Sequence, residues 1–60
     1  MTYKEAKHLH NGSKIIIEKT GETKTVLLIS ECRDKAGKKC INILCDDHTA
    51  HYNFEVKRHI

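Results

Sequence analysis

CINILCDDHTAH, residues 40–51, holds two cysteines, two histidines and two aspartates. The way this stretch folds decides the rest of the molecule. It reads either as a metal site or as strand, tight polar turn and strand. Adjacent aspartates are turn formers, so the turn is expected at Asp46-Asp47 or over residues 46–49. Both loops have an even length, and side chains alternate along paired strands. Ile41, Ile43 and Cys45 then share an apolar face with Ala50, Tyr52 and Phe54. Cys40, Asn42 and Leu44 share the polar face with His51, Asn53 and Glu55. That facing divides the candidate ligands Cys45, His48 and His51 between two sides of the hairpin. A structural zinc needs four ligands converging at about 2.0–2.3 Å, and no CxxC is present. The expectation is a plain hairpin with Cys45 as a small core residue, no metal and no cofactor.

Outward from that hairpin, the chain reads as a series of short elements. Thr2-Tyr3-Lys4-Glu5 matches the capping-box pattern, and Asn11-Gly12 supplies a stop. A short helix is expected within residues 2–10, with Tyr3, Ala6 and Leu9 on one stripe. KIIIEK and TKTVLLISECR are rich in β-branched residues and predict two strands. The second is long enough to bend or bulge, and its VLLI run predicts burial on both faces. Asp34-Lys35-Ala36-Gly37 is a turn, KKCINILC a third strand, and HTAHYNFEVKRHI a fourth and a short fifth. Strands joined by short turns make an antiparallel meander. Closing it into a barrel over residues 13–59 buries the apolar faces and removes the edges.

Sixty residues make one domain, 1–60, with a small core. There is little room for a walled catalytic pocket. No nucleophile–base pair is signalled, so no catalytic residue is assigned and no enzyme is expected. Apolar residues make up 38% and charged residues 32%, which fits a folded domain with a charged surface. No run approaches the roughly 20 apolar residues of a membrane span. The first ten residues hold no apolar signal core. A cytoplasmic protein with no membrane partner is the expectation. Three cysteines fit a reducing compartment and give no complete disulfide framework; a Cys32–Cys40 bridge is the one pairing considered, and free thiols are expected.

The net charge of +3 is unevenly spread. Arg33, Lys35, Lys38 and Lys39 crowd one turn, and Lys57, Arg58 and His59 form a second basic group. These side chains are the candidate phosphate contacts, provided the two groups converge. Single-strand binding also uses exposed aromatics, and the expected register turns Tyr52 and Phe54 inward.

The spans NGSKIIIEKTGETKTVLLI and KKCINILCDDHTAHYNFEVKR, separated by the basic turn, resemble small SH3-like barrels of the KOW and Tudor kind. The likeness rests on apolar spacings and glycines over residues 11–60. It implies a four- to five-stranded antiparallel barrel that binds protein, peptide or nucleic acid. The aromatic cage of a methyl-lysine reader is missing, as are the aromatic pair and acidic loop of a proline-rich-peptide binder. An OB-fold is the alternative architecture. The functional expectation is a non-enzymatic module that binds a protein partner; the alternative is nucleic-acid binding through the 33–39 hairpin and the C-terminal basic group.

Overall fold

A computed structural model describes residues 1–59. Its elements are helix α1 (Tyr3–Ala6), β1 (Lys14–Ile17), β2 (Thr23–Arg33), β3 (Lys39–Cys45), β4 (Ala50–Tyr52), a 3₁₀ turn (Asn53–Glu55) and β5 (Val56–Arg58). The strands form one antiparallel sheet in the order β4-β3-β2-β1-β5. The mainly β, five-stranded reading with a short N-terminal helix therefore holds. Closure does not: β4 and β5 are the two edges and do not pair. Each is three residues long, and short edges expose few unpaired backbone groups.

The long strand makes this arrangement work. β2 pairs with β1 through Thr23–Thr25 and with β3 from Val26 to Arg33. The register shifts between Val26 and Leu28, so a bulge bends the strand where it changes partners. The sheet curls there, and residues from both halves meet in one core. Ile15, Ile17 and Val56 come from one half, Ile41, Ile43 and Cys45 from the other, and Val26 lies at the hinge. Past the bulge Leu28 pairs with Leu44 and is 53% exposed, so the VLLI run is not buried on both faces as expected.

The helix is shorter than expected. Thr2 accepts from the Glu5 N–H and Glu5 accepts from the Thr2 N–H, completing the capping box. After Lys7 the bonds become i→i−3, from His8 to Glu5 and from Leu9 to Ala6. One helical turn alone is unstable; packing holds this one. Ala6 is buried in the core, with Met1, Tyr3 and Leu9 against it. The Tyr3 hydroxyl donates to Glu31 on β2, and this bond holds the Glu31 carboxyl below its ordinary pKa.

The two hairpins of the β2-β3-β4 half share one geometry. In the first, the Asp34 N–H donates to Lys38 and the Gly37 N–H to Asp34. Gly37 has φ +82°, and the Asp34 carboxylate accepts from the Ala36 and Lys38 amides at 2.9 Å each. A three-residue loop ending in a left-handed residue is a common hairpin. In the second, the Cys45 N–H donates to Thr49 and the His48 N–H to Cys45, with His48 at φ +68°. Histidine is among the residues that tolerate this conformation, and here it stands where the first hairpin has glycine. The loop is therefore odd, not even, and the expected register is off by one. Asn42 pairs with Tyr52, Ile43 with His51 and Leu44 with Ala50. His51 now lies on the side of Ile43, and Ala50 and Tyr52 lie on the outer side with Asn42 and Leu44.

The aspartates of the opening stretch are fastened to β2. The Asp46 N–H donates to Thr25. Asp47 bonds Lys24 Nζ at 2.5 Å and accepts from the Thr49 amide and hydroxyl at 3.1 and 2.5 Å. Lys24, then the Thr49 donors, hold the Asp47 carboxyl well below the usual carboxylate range. A lowered folded-state pKa gives stability that is present above the unfolded value, about 3.9, and is lost as pH falls through the folded one. Asp47→Asn is therefore expected to lower the neutral-pH melting temperature and to flatten its decline below about pH 4. Circular-dichroism melts of both proteins across that range check this, and parallel curves would show that Asp47 carries no such linkage.

Candidate nucleic-acid interface

Asn53 and Phe54 show how the corrected register builds a surface. β4 ends at Tyr52, and the 3₁₀ turn swings the next residues apart. Asn53 is buried; its Oδ1 accepts from the Ile41 amide at 2.9 Å and its Nδ2 donates to the Met1 carbonyl at 3.0 Å. Its neighbours are forced out: Tyr52 is 39% exposed and Phe54 57%. Their rings stack, with centroids 5.2 Å apart and planes within 11°. Both aromatics were expected inside. The first hairpin, whose Gly37 marks an odd loop, was the available sign that the second could be odd as well.

The stacked pair stands next to the basic hairpin. Tyr52 and Phe54 line one side of an open cleft of about 460 Å³, and Arg33, Asp34, Lys35 and Ala36 line the other. Arg33 is steadied by a bond from its guanidinium to the Gly37 carbonyl at 2.7 Å. Lys35, Lys38 and Lys39 are exposed and join no ion pair among the described residues. The far side of Phe54 faces a second cleft of about 570 Å³, with Ile17, Glu18, Lys19, Thr20, His51 and Glu55. Phe54 is thus a ridge between a basic cleft and a mixed, partly acidic one.

The second basic group lies elsewhere. Lys57 pairs with Ile16 and Arg58 with Ile15 on β1, which joins the opposite end of β2 from the hairpin. Arg58 and His59 share a cleft with Met1, Glu5, His10 and Lys14. The structure does not bring the two basic groups together.

The weak metal candidates also separate. Cys45 is fully buried in the core, and burial pushes its thiol pKa up, away from the thiolate a metal needs. His48 is an exposed turn residue. The His51 ring approaches the Thr49 hydroxyl at 3.2 Å and Glu55 at 3.7 Å. Among the described residues no three metal-ligating side chains converge, and no helix is long and apolar enough to cross a membrane. Comparison with protein families, curated proteins and solved structures finds no match to this chain.

Proposed function

We propose that this protein is a non-enzymatic binding module for single-stranded nucleic acid, with Tyr52 and Phe54 as its base-stacking platform. One observation carries the proposal: the stacked, exposed aromatic pair shares a cleft with Arg33 and Lys35. Single-strand binders combine such a platform with a cationic track for the backbone. A base lodged between the exposed Tyr52–Phe54 pair and the hairpin places its phosphate toward Arg33 and Lys35, with Lys38 and Lys39 extending the track. Glu18 and Glu55 turn the backbone away from the other cleft. Lys57 and Arg58 are left outside this site. The five-strand antiparallel order supports an SH3-like layout, and the odd count of three cysteines supports a reducing, cytoplasmic setting.

A second reading, docking of a protein partner, is supported by the cleft on the far side of Phe54. It is partly apolar and carries Glu18 and Glu55, which suits a basic, apolar peptide.

Two-dimensional amide NMR titration with a mixed-sequence single strand, paired with fluorescence anisotropy, tests the proposal. Shifts are expected on residues 33–39 and 52–54 and are expected to fade with salt. Phe54→Ala is expected to weaken binding by about 5- to 150-fold, the equivalent of about 1–3 kcal/mol of base stacking. Lys35→Glu with Lys38→Glu is expected to weaken all sequences evenly and to flatten the salt slope. Lys57→Glu with Arg58→Glu is expected to do less. Silence of the spectrum at low salt, or wild-type binding by the Phe54 and hairpin variants, would overturn the proposal and leave the protein-docking reading.

A further inference from the structure

Cys32 and Cys40 lie directly opposite one another across β2 and β3. Their Sγ atoms are 2.8 Å apart, and both thiols are free. Directly opposed residues of an antiparallel pair have Cα atoms about 4.5–5.5 Å apart, inside the window of about 4.4–6.8 Å that a disulfide requires. The backbone therefore needs no rearrangement to accept a bond between these sulfurs. The third cysteine, Cys45, sits in the core, away from both.

From this geometry we infer that Cys32 and Cys40 form a redox-active dithiol site that takes a small anionic disulfide, of the glutathione class, as its oxidant. The two thiols have unequal roles. Cys32 is partly exposed and opens on a small cleft with Glu31, Arg33 and Lys39. Arg33 and Lys39 give an approaching anionic disulfide a cationic flank. Cys40 is 2% exposed, beyond the reach of such a molecule. Cys32 is thus the attacking thiol and Cys40 the resolving one.

The exchange balances in two steps. Ionised Cys32 Sγ attacks one sulfur of the oxidant; its S–S bond breaks, one glutathione thiolate leaves, and Cys32 carries a mixed disulfide. Cys40 Sγ then attacks the Cys32 sulfur and expels the second glutathione thiolate. Two electrons pass from the protein dithiol to the oxidant. The two thiol protons end on two molecules of reduced glutathione. The bond to Cys32, then burial, pushes the Cys40 thiol up to about 11. Capture of Cys32 in the mixed disulfide removes that bond and the charge opposite, which frees Cys40 to ionise for the second step. The bridge closes the base of the hairpin that carries Arg33 to Lys39, one residue pair below Arg33 and Lys39 themselves. The inference stands independently of nucleic-acid binding, because its readout is the state of the thiols.

Equilibration in graded glutathione buffers, followed by maleimide trapping in denaturant and intact-mass analysis, tests it. The reduced protein takes up label on all three cysteines. The oxidised protein is expected to keep one label, on Cys45, with a Cys32–Cys40 link in its peptide map. Cys40→Ser is expected to stop at a glutathione adduct on Cys32, and Cys32→Ser to remain unmodified. The folded protein is expected to form the bridge in a buffer at least about tenfold more reducing, as [GSH]²/[GSSG], than the urea-unfolded chain needs. Three labels at the most oxidising ratio, a bridge through Cys45, predominance of linked dimers, or equal midpoints for folded and unfolded chains would each overturn the assignment.

Discussion

Ile43→Ala is expected to lower the unfolding free energy by about 2–5 kcal/mol. Ile43 is fully buried at the middle of β3, between Ile29 on β2 and His51 on β4. Truncation removes apolar contact and leaves a cavity that the flanking strands cannot fill without breaking their ladders. A domain of this size has a total stability of about 3–9 kcal/mol at about 0.05–0.15 kcal/mol per residue. One side chain therefore carries a large share of it, and the variant is expected to be substantially unfolded in moderate urea. Leu28→Ala on the outer face is the control, expected within about 0.5 kcal/mol of wild type. Urea titrations followed by circular dichroism separate the two. Equal midpoints would mean that the inner and outer faces of the sheet are misassigned.

That contrast between faces was only partly readable in the sequence. β2 is marked at both ends by Gly21-Glu22 and Asp34 to Gly37, and its span of Thr23–Arg33 coincides with the run TKTVLLISECR. The capping box fixed where α1 starts, and Gly37 marked the first hairpin. The second hairpin carries no glycine. His48 takes the left-handed position instead, and nothing in the string CDDHT separates that loop from an even one. A one-residue slip flips every side chain beyond it, so an error at one turn reversed Ala50 to Asn53. This is why the basic half of the site, Arg33 and Lys35, was visible as a charge cluster while its aromatic half was not. The open edge between β4 and β5 has a similar origin. Those strands are short because residues 53–55 turn away, and that turn follows from where Asn53 finds its partners. The separation of the two basic groups depends on strand order, which local sequence does not encode.

Asn53→Ala is the variant expected to damage both the fold and the proposed site. The β3–β4 ladder ends at Asn42 and Tyr52, so the amide of Ile41 has lost its strand neighbour. The Asn53 side chain supplies the missing acceptor, while its other end ties down the Met1 carbonyl. Alanine leaves the Ile41 N–H buried and unpaired, at a cost of about 1–3 kcal/mol. For a domain this small, each kcal/mol lowers the melting temperature by about 4–8 °C. Asn53→Asp keeps the acceptor but sets an oxygen against the Met1 carbonyl, so it is expected to fall between alanine and wild type. Amide hydrogen exchange at Ile41 is the local readout, accelerated in the alanine variant and protected in the aspartate one. The same bonds hold Asn53 inward and thereby push Phe54 out, so the alanine variant is also expected to lose ring stacking with Tyr52. A wild-type melting temperature with unchanged Ile41 exchange would mean that the amide has another partner. The exposure of Phe54 would then owe nothing to Asn53.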